Sequence, residues 1–219
     1  MRAPLGRARP GSVALAAIAI VALTDCAAAQ SARSLPPGWR VTADAPADSA
    51  PKFDVMAPGW HVTMGPASVI YHSGHTAEDR FALEMEFFFF PGPSGAADGI
   101  FVGGDSLDAS PSFTAFAIRR DGSAGAFRHA GGTITALRGW ARHPAVMAQR
   151  GDSVVKNVIR LAAERDSVAF LVNGTEVFRV ARTAAPMDGV FGLRAGEGTN
   201  LHVSRLDLTR HLAEPRARK

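Results

Sequence analysis

Residues 81–90 place large apolar side chains at every second position, and this alternation constrains the fold more than any other feature of the sequence. The odd positions are all Phe, Leu or Met, whereas Glu84 and Glu86 fall on even positions. Successive side chains of a β-strand point to opposite faces, so the odd positions form a core face. Pro91-Gly92-Pro93 follows and ends the strand. A strand with one continuous apolar face needs a second layer to cover it.

The rest of the chain repeats this pattern of short strands and turn residues. Runs with a period of two are separated by Gly, Pro, Asn and Asp, and no long stretch keeps apolar residues at helical spacing. Only residues 140–149 suggest a short helix or a long loop, and Pro144 interrupts them. About a dozen strands at this spacing predict an all-β protein, a two-sheet antiparallel jelly-roll sandwich.

Two local signals specify parts of this sandwich. Asn173-Gly174 separates residues 167–172 from residues 175–180 and predicts a hairpin, because Asn-Gly tolerates the positive φ angles of a type I′ turn. In the last strand the apolar phase changes near Ser204-Arg205, which predicts a β-bulge there.

The N-terminus predicts export. Three arginines precede an uncharged apolar run at residues 12–23, and the small residues Ala27-Ala28-Ala29 follow. This order is typical of a cleaved secretory signal peptide, and the run is shorter than the roughly 20 residues of a membrane-spanning helix. We therefore expect a signal peptide at 1–29 and a periplasmic or extracellular protein. Lipid attachment at Cys26 is the alternative, although Asp25 fits a lipoprotein signal poorly.

The remaining chain has room for one domain. We expect a linker or edge segment at 30–52, the sandwich at 53–209 and a charged tail at 210–219. The single cysteine leaves no disulfide pair. The 24 basic and 20 acidic residues are scattered, without the basic stripe that would indicate a nucleic-acid partner.

Three segments in this order resemble the 3-keto-disaccharide hydrolase family, within the concanavalin A-like lectin and glucanase superfold. They are residues 81–87, residues 98–102, and the closing strands from Val155 to Leu193. Where that family often has Asn-Ser-Gly-Ile, this chain has Ala-Asp-Gly-Ile at 97–100. The resemblance covers roughly residues 53–208 and implies a concave sheet that can receive a sugar chain.

Glu84 and Glu86 are the candidate catalytic carboxylates. They share a strand face with Cα atoms about 7 Å apart, and glycosidases use two carboxylates at such separations. Phe88 and Phe90 continue the same face and are candidates for stacking on a sugar ring. The alternative is a solvated face on which both Glu side chains pair with arginines of neighbouring strands.

Further candidates lie elsewhere in the sequence. Trp60, Trp140 and Arg160 are candidate carbohydrate-binding residues, with core or rim packing and pairing to Glu as their alternatives. Asp98, Asp105 and Asp108 surround a Gly-rich loop and are candidate Ca²⁺ ligands, with turn formation as the alternative. His72 and His75 form a His-x-x-His pair in a predicted loop, at a spacing that matches no standard zinc set.

Together these features favour an exported, lectin-like protein that binds a glycan or oligosaccharide. The first alternative is a glycoside-cleaving enzyme that uses Glu84 and Glu86. The second is a structural or adhesion domain that contacts other proteins.

Overall fold

The computed structural model describes residues 35–46 and 51–211, which form fourteen strands and a single 3₁₀ turn at Arg182–Ala184. The strands are β1 Trp39–Ala43, β2 Lys52–Val55, β3 Trp60–Thr63, β4 Ser68–Ala77, β5 Phe81–Phe89, β6 Ala97–Asp105, β7 Ser112–Arg119, β8 Ser123–Ala130, β9 Thr133–Arg142, β10 Val155–Ala163, β11 Ser167–Val172, β12 Thr175–Ala181, β13 Gly189–Ala195 and β14 Asn200–Arg210.

The strands form two antiparallel sheets of seven. The first sheet has the order β1-β4-β13-β6-β7-β8-β9, and the second has the order β12-β11-β10-β5-β14-β3-β2. Each sheet combines a run of hairpin neighbours with strands that are distant in sequence, as in a jelly roll. The predicted two-sheet antiparallel sandwich is therefore confirmed. All described residues fall in one compact unit, and none of them forms a helix long and apolar enough to span a bilayer.

The core lies between the two sheets and is built as the alternation in β5 predicts. The five odd-numbered side chains of β5 are completely buried. They pack with Ile100 and Phe116 from the first sheet and with Ile159 and Phe170 from the second. Removal of this apolar area from water drives the two sheets together.

The hairpin and the bulge lie where the sequence predicts them. Asn173 and Gly174 have φ angles of 49° and 81° between β11 and β12. The register of β14 against β5 shifts between Val203 and Arg205.

The Asn173 side chain also hydrogen-bonds the hairpin to neighbouring segments. Its Oδ1 accepts a 2.8 Å hydrogen bond from the Val158 amide, and its Nδ2 donates to the Ala145 carbonyl at 2.8 Å and to Asn157 Oδ1 at 3.0 Å. The turn is therefore joined to the start of β10 and to the loop that follows β9.

The first sheet also carries a small apolar cluster on its outer face, which the sequence did not predict. Tyr71, Phe101 and Phe113 lie on β4, β6 and β7 of that face, and Leu107 from the β6–β7 loop packs with them. Alternation alone does not reveal this cluster, because β6 and β7 are apolar on both faces.

Two local predictions were wrong. His72 and His75 lie within β4 rather than in a loop, because β4 continues through the polar stretch to pair with β13. Trp140 lies in β9 rather than in a helix or loop, because β9 pairs with β8 as far as Arg142. Trp39 lies in β1, an edge strand within the segment predicted as a linker or edge. Residues 1–29, with Cys26, lie outside the described residues.

Candidate functional site

The structure separates the predicted site residues into distinct regions. Glu84, Glu86, Phe88 and Arg160 lie on the outer face of the second sheet, whereas Trp140 lies on the outer face of the first sheet. Trp60 borders a cavity between the sheets. The predicted carbohydrate-binding residues therefore do not form one surface.

Each of the two glutamates is paired with cations from neighbouring strands. Glu84 contacts Arg205 of β14 at 2.6 Å and Arg160 of β10 at 3.3 Å. Glu86 contacts the Lys156 ammonium at 2.7 Å. This is the arrangement of a charge-paired strand face.

The electrostatics of Glu86 favour the ionised form. Hydrogen bonds from Lys156 and Ser204 hold the pKa of Glu86 below its usual range. The general acid of a glycosidase needs a raised pKa so that it can hold a proton near neutral pH. Glu86 therefore lacks the environment of a general acid.

The two phenylalanines of this face contact histidines. Phe88 lies 6.0 Å from the His202 ring and has the Lys156 ammonium 5.9 Å from its centroid. Phe90 makes an edge contact with His61 at 4.8 Å. Both phenylalanines are half-buried.

Asp98, one of the predicted calcium ligands, is fully buried and surrounded by hydrogen-bond donors. Arg120 donates to its Oδ2 at 3.0 Å, the Gly196 amide donates to its Oδ1 at 2.9 Å, and the Thr199 hydroxyl also donates to Oδ1. Desolvation raises the pKa of Asp98, and the Arg120 charge is the largest effect opposing that rise. The protein itself occupies the oxygens that a cation would need.

The other two predicted calcium ligands lie at the far end of β6. Asp98 and Asp105 are seven residues apart on this strand, or about 23 Å. Asp108 accepts hydrogen bonds from Tyr71 at 2.6 Å and from Arg40 at 2.7 Å. No cluster of three or more His, Cys, Asp or Glu side chains with the spacing of a metal site occurs in residues 35–46 and 51–211.

His72 and His75 pack as aromatic rings. The two imidazoles stack at 4.3 Å, and His75 also contacts Trp39 at 5.8 Å and Phe191 at 5.9 Å. Burial lowers the pKa of His75, and the neighbouring His72 lowers it further.

Trp140 lies in an aromatic cluster on the outer face of the first sheet, which we call the Trp140 patch and define as Arg119, Gly125, Phe127 and Trp140. The guanidinium carbon of Arg119 lies 3.9 Å from the centroid of the Trp140 ring. The Phe127 ring lies 4.8 Å from that of Trp140 at an angle of 36°. Strands β7, β8 and β9 each contribute to the patch, so the sheet itself sets its geometry.

Gly125 lies directly beneath these rings. A Cβ atom at position 125 would lie 2.8 Å from the Phe127 ring and 3.1 Å from the Trp140 ring. Real Cβ atoms essentially never approach other atoms within 3.0 Å. Gly125 therefore lets both aromatic rings lie against the sheet.

The Arg119 side chain has no hydrogen-bonding partner in the part of the chain that the structure describes. Its Nε atom is buried without an acceptor, and neither an ion pair nor a hydrogen bond engages its terminal nitrogens. Buried polar groups in native proteins are almost always satisfied, so an unsatisfied one needs an explanation. A stacked guanidinium with free donors beside two aromatic rings can bind a ligand that presents oxygens together with a flat apolar surface.

Sequence reasoning identified Trp140 but missed Arg119, Gly125 and Phe127. Period-two alternation does place Gly125 and Phe127 on one face of β8. The missing information was the pairing of β9 with β8, because residues 140–149 were expected to leave the sheet.

Searches of known proteins find similarity in structure alone: no protein-family profile matches the chain, and no curated protein matches it significantly. A carbohydrate-binding module, CBM66, from Bacillus subtilis has a TM-score of 0.60 at 13% identity, over 79% of this chain and 96% of the module. The potassium-bound Emp46p carbohydrate recognition domain has a TM-score of 0.54 at 12% identity, over 78% of this chain and 88% of that domain.

A third similar structure is a GH16 protein of a Bacteroides ovatus mixed-linkage glucan PUL in complex with a product. Its TM-score is 0.54 at 9% identity, over 78% of this chain and 94% of that protein. Identities this low establish architecture only, and they do not confirm the 3-keto-disaccharide hydrolase family. The chain shares the two-sheet jelly-roll fold of these structures.

Proposed function

We propose that this chain is an exported, lectin-like carbohydrate-binding protein and that the Trp140 patch contacts the glycan. The observation that carries the proposal is the Arg119 guanidinium, which stacks on Trp140 with its hydrogen-bond donors free. Sugar hydroxyl and ring oxygens would accept hydrogen bonds from Arg119, and the apolar face of the sugar would pack on the aromatic rings.

Two further observations support this proposal. Several structures with the same fold carry carbohydrate-binding names, among them CBM66 at a TM-score of 0.60. The basic start, apolar run and small-residue end of residues 1–29 support export.

The test is binding of the purified protein to a broad glycan array, with and without a calcium chelator. We expect the wild type to bind a defined glycan. The affinity for that glycan should fall at least about tenfold in both Trp140→Ala and Arg119→Gln, because each variant loses a stacked ring or a charge-assisted hydrogen bond. Arg160→Gln, on the outer face of the second sheet, is the matched control and should bind as the wild type does. An array without any hit, or a hit unaffected by both patch variants, would overturn the proposal.

A further inference from the structure

A cavity of about 490 Å³ lies between the two sheets, away from the Trp140 patch. Strands β1, β4 and β13 of the first sheet and β3 and β14 of the second sheet line it. Trp39 and Trp60 meet edge to face at 4.8 Å on its wall, and Phe191, Leu206 and Leu208 add further apolar surface.

The cavity exists because the sequence leaves this part of the sandwich unfilled. The small residues Gly59, Gly74 and Thr76 lie on its lining. Protein interiors are close-packed and seldom contain voids larger than a water molecule. A cavity of this size falls within the range of roughly 300–1,000 Å³ that small-molecule sites occupy.

The permanently charged groups on the cavity lining are two arginines, beside the polar side chains of His75, Thr76 and Ser204. Arg205 and Arg210 both line it, and Arg205 is already paired with Glu84. Arg210 donates to the Thr76 carbonyl at 2.9 Å, and no carboxylate of the described chain pairs with it. An apolar chamber with an uncompensated guanidinium complements a molecule that has an apolar body and one anionic end.

We propose that this cavity binds an amphiphilic organic acid. Its apolar or aromatic body packs against the wall that Trp39 and Trp60 form, and its carboxylate or sulfonate pairs with Arg210. This site is independent of the glycan-binding proposal, because none of its lining residues belongs to the Trp140 patch.

The experiment uses the purified full chain and the fluorescent probe 8-anilinonaphthalene-1-sulfonate, which has aromatic rings and one sulfonate. We expect saturable binding that quenches tryptophan emission, since two of the three tryptophans border the cavity. Decanoate should displace the probe at least about tenfold more effectively than decanol, because only the acid forms a charge-assisted bond with Arg210.

Two variants locate the binding. Arg210→Gln should weaken binding of the probe at least about tenfold and abolish the preference for decanoate over decanol. Trp60→Ala should weaken binding of the acid and of the alcohol alike. Arg142→Gln, an exposed arginine of β9, is the matched control and should leave binding unchanged. Circular dichroism verifies that each variant is folded. Absence of saturable binding, or an unchanged preference for decanoate in Arg210→Gln, would overturn the proposal.

Discussion

Asp98 and Arg120 form an ion pair of 3.0 Å in which the side chains are 0% and 2% exposed. Asp98 lies on β6, and Arg120 directly follows β7. Arg120 also donates to the Phe90 carbonyl at 3.2 Å and to the Asn200 carbonyl at 3.0 Å, so one guanidinium connects both sheets. The cost of burying two charges is offset only while every partner remains in place.

Asp98→Asn should therefore destabilise the fold strongly. The substitution leaves the Arg120 charge buried without a counter-ion, and breaking such a pair costs about 3–5 kcal/mol. Chemical denaturation measures this change in the free energy of unfolding. Asp207→Asn is the control, because Asp207 is exposed and its contact with Arg205 is 3.5 Å long. Equal stability of the two variants would contradict this role for the pair.

The stability of the protein should depend on pH through His129. Its ring stacks on Phe113 at 4.3 Å, and burial, followed by the nearby Arg194 charge, lowers the pKa of His129 to about 4. His129 is protonated near pH 6.5 in the unfolded chain but only near pH 4 in the folded chain. The stabilising contribution is therefore complete above about pH 6.5 and is lost as the pH falls towards 4, by up to about 3 kcal/mol.

Denaturation of the wild type and of His129→Gln between pH 4 and 7 isolates this contribution. The variant should lose less stability than the wild type as the pH falls through this window. Several carboxylates with lowered pKa values, including Glu86 and Glu164, act in the same direction and are common to both proteins. Parallel pH profiles would show that His129 titrates normally in the folded state.

Gly125→Ala should disrupt the Trp140 patch. The added methyl group must displace Phe127 or Trp140, and overpacking of this kind costs typically about 1–3 kcal/mol. We expect weaker glycan binding together with a shift in Trp140 emission. Gly139→Ala is the matched control, because a Cβ atom there meets nothing within 4 Å. If Gly125→Ala binds the glycan with wild-type affinity, the Trp140 patch is not part of the binding surface.

Glu84→Gln and Glu86→Gln should have small effects. Their ion pairs are partly exposed, and such pairs contribute about 0–1 kcal/mol to stability. Both variants should keep glycan binding, which the same array measures. If the protein cleaves a glycoside and either variant abolishes turnover while binding persists, the hydrolase alternative is the correct one.

Local signals in the sequence were sufficient where the structure is local. The alternation in β5, the Asn173-Gly174 turn and the bulge before Arg205 each depend on a few adjacent residues. Together they indicated the sandwich, because alternating strands joined by turns are what a two-sheet fold is made of.

Features that join distant residues could not be predicted in this way. The sequence suggested Asp98 as a calcium ligand because it lies near a Gly-rich loop. Its partner Arg120 comes close to it only because β6 pairs with β7, and the sequence alone does not show that pairing. The Trp140 patch likewise requires the β8–β9 register, and a single sequence does not contain that register.

The hydrogen bonds of the Asn173 side chain have a consequence for producing this protein in a secreting eukaryotic cell. Asn173-Gly174-Thr175 is a glycosylation sequon, and the oligosaccharide would be attached to Nδ2. That nitrogen already donates to Ala145 and Asn157 in the folded chain. Modification before folding would remove one of its two N–H donors, so the hairpin could retain only one of these bonds. Material from such a host should therefore be less stable than material from a bacterium, and removal of the sequon through Thr175→Ala should abolish the difference.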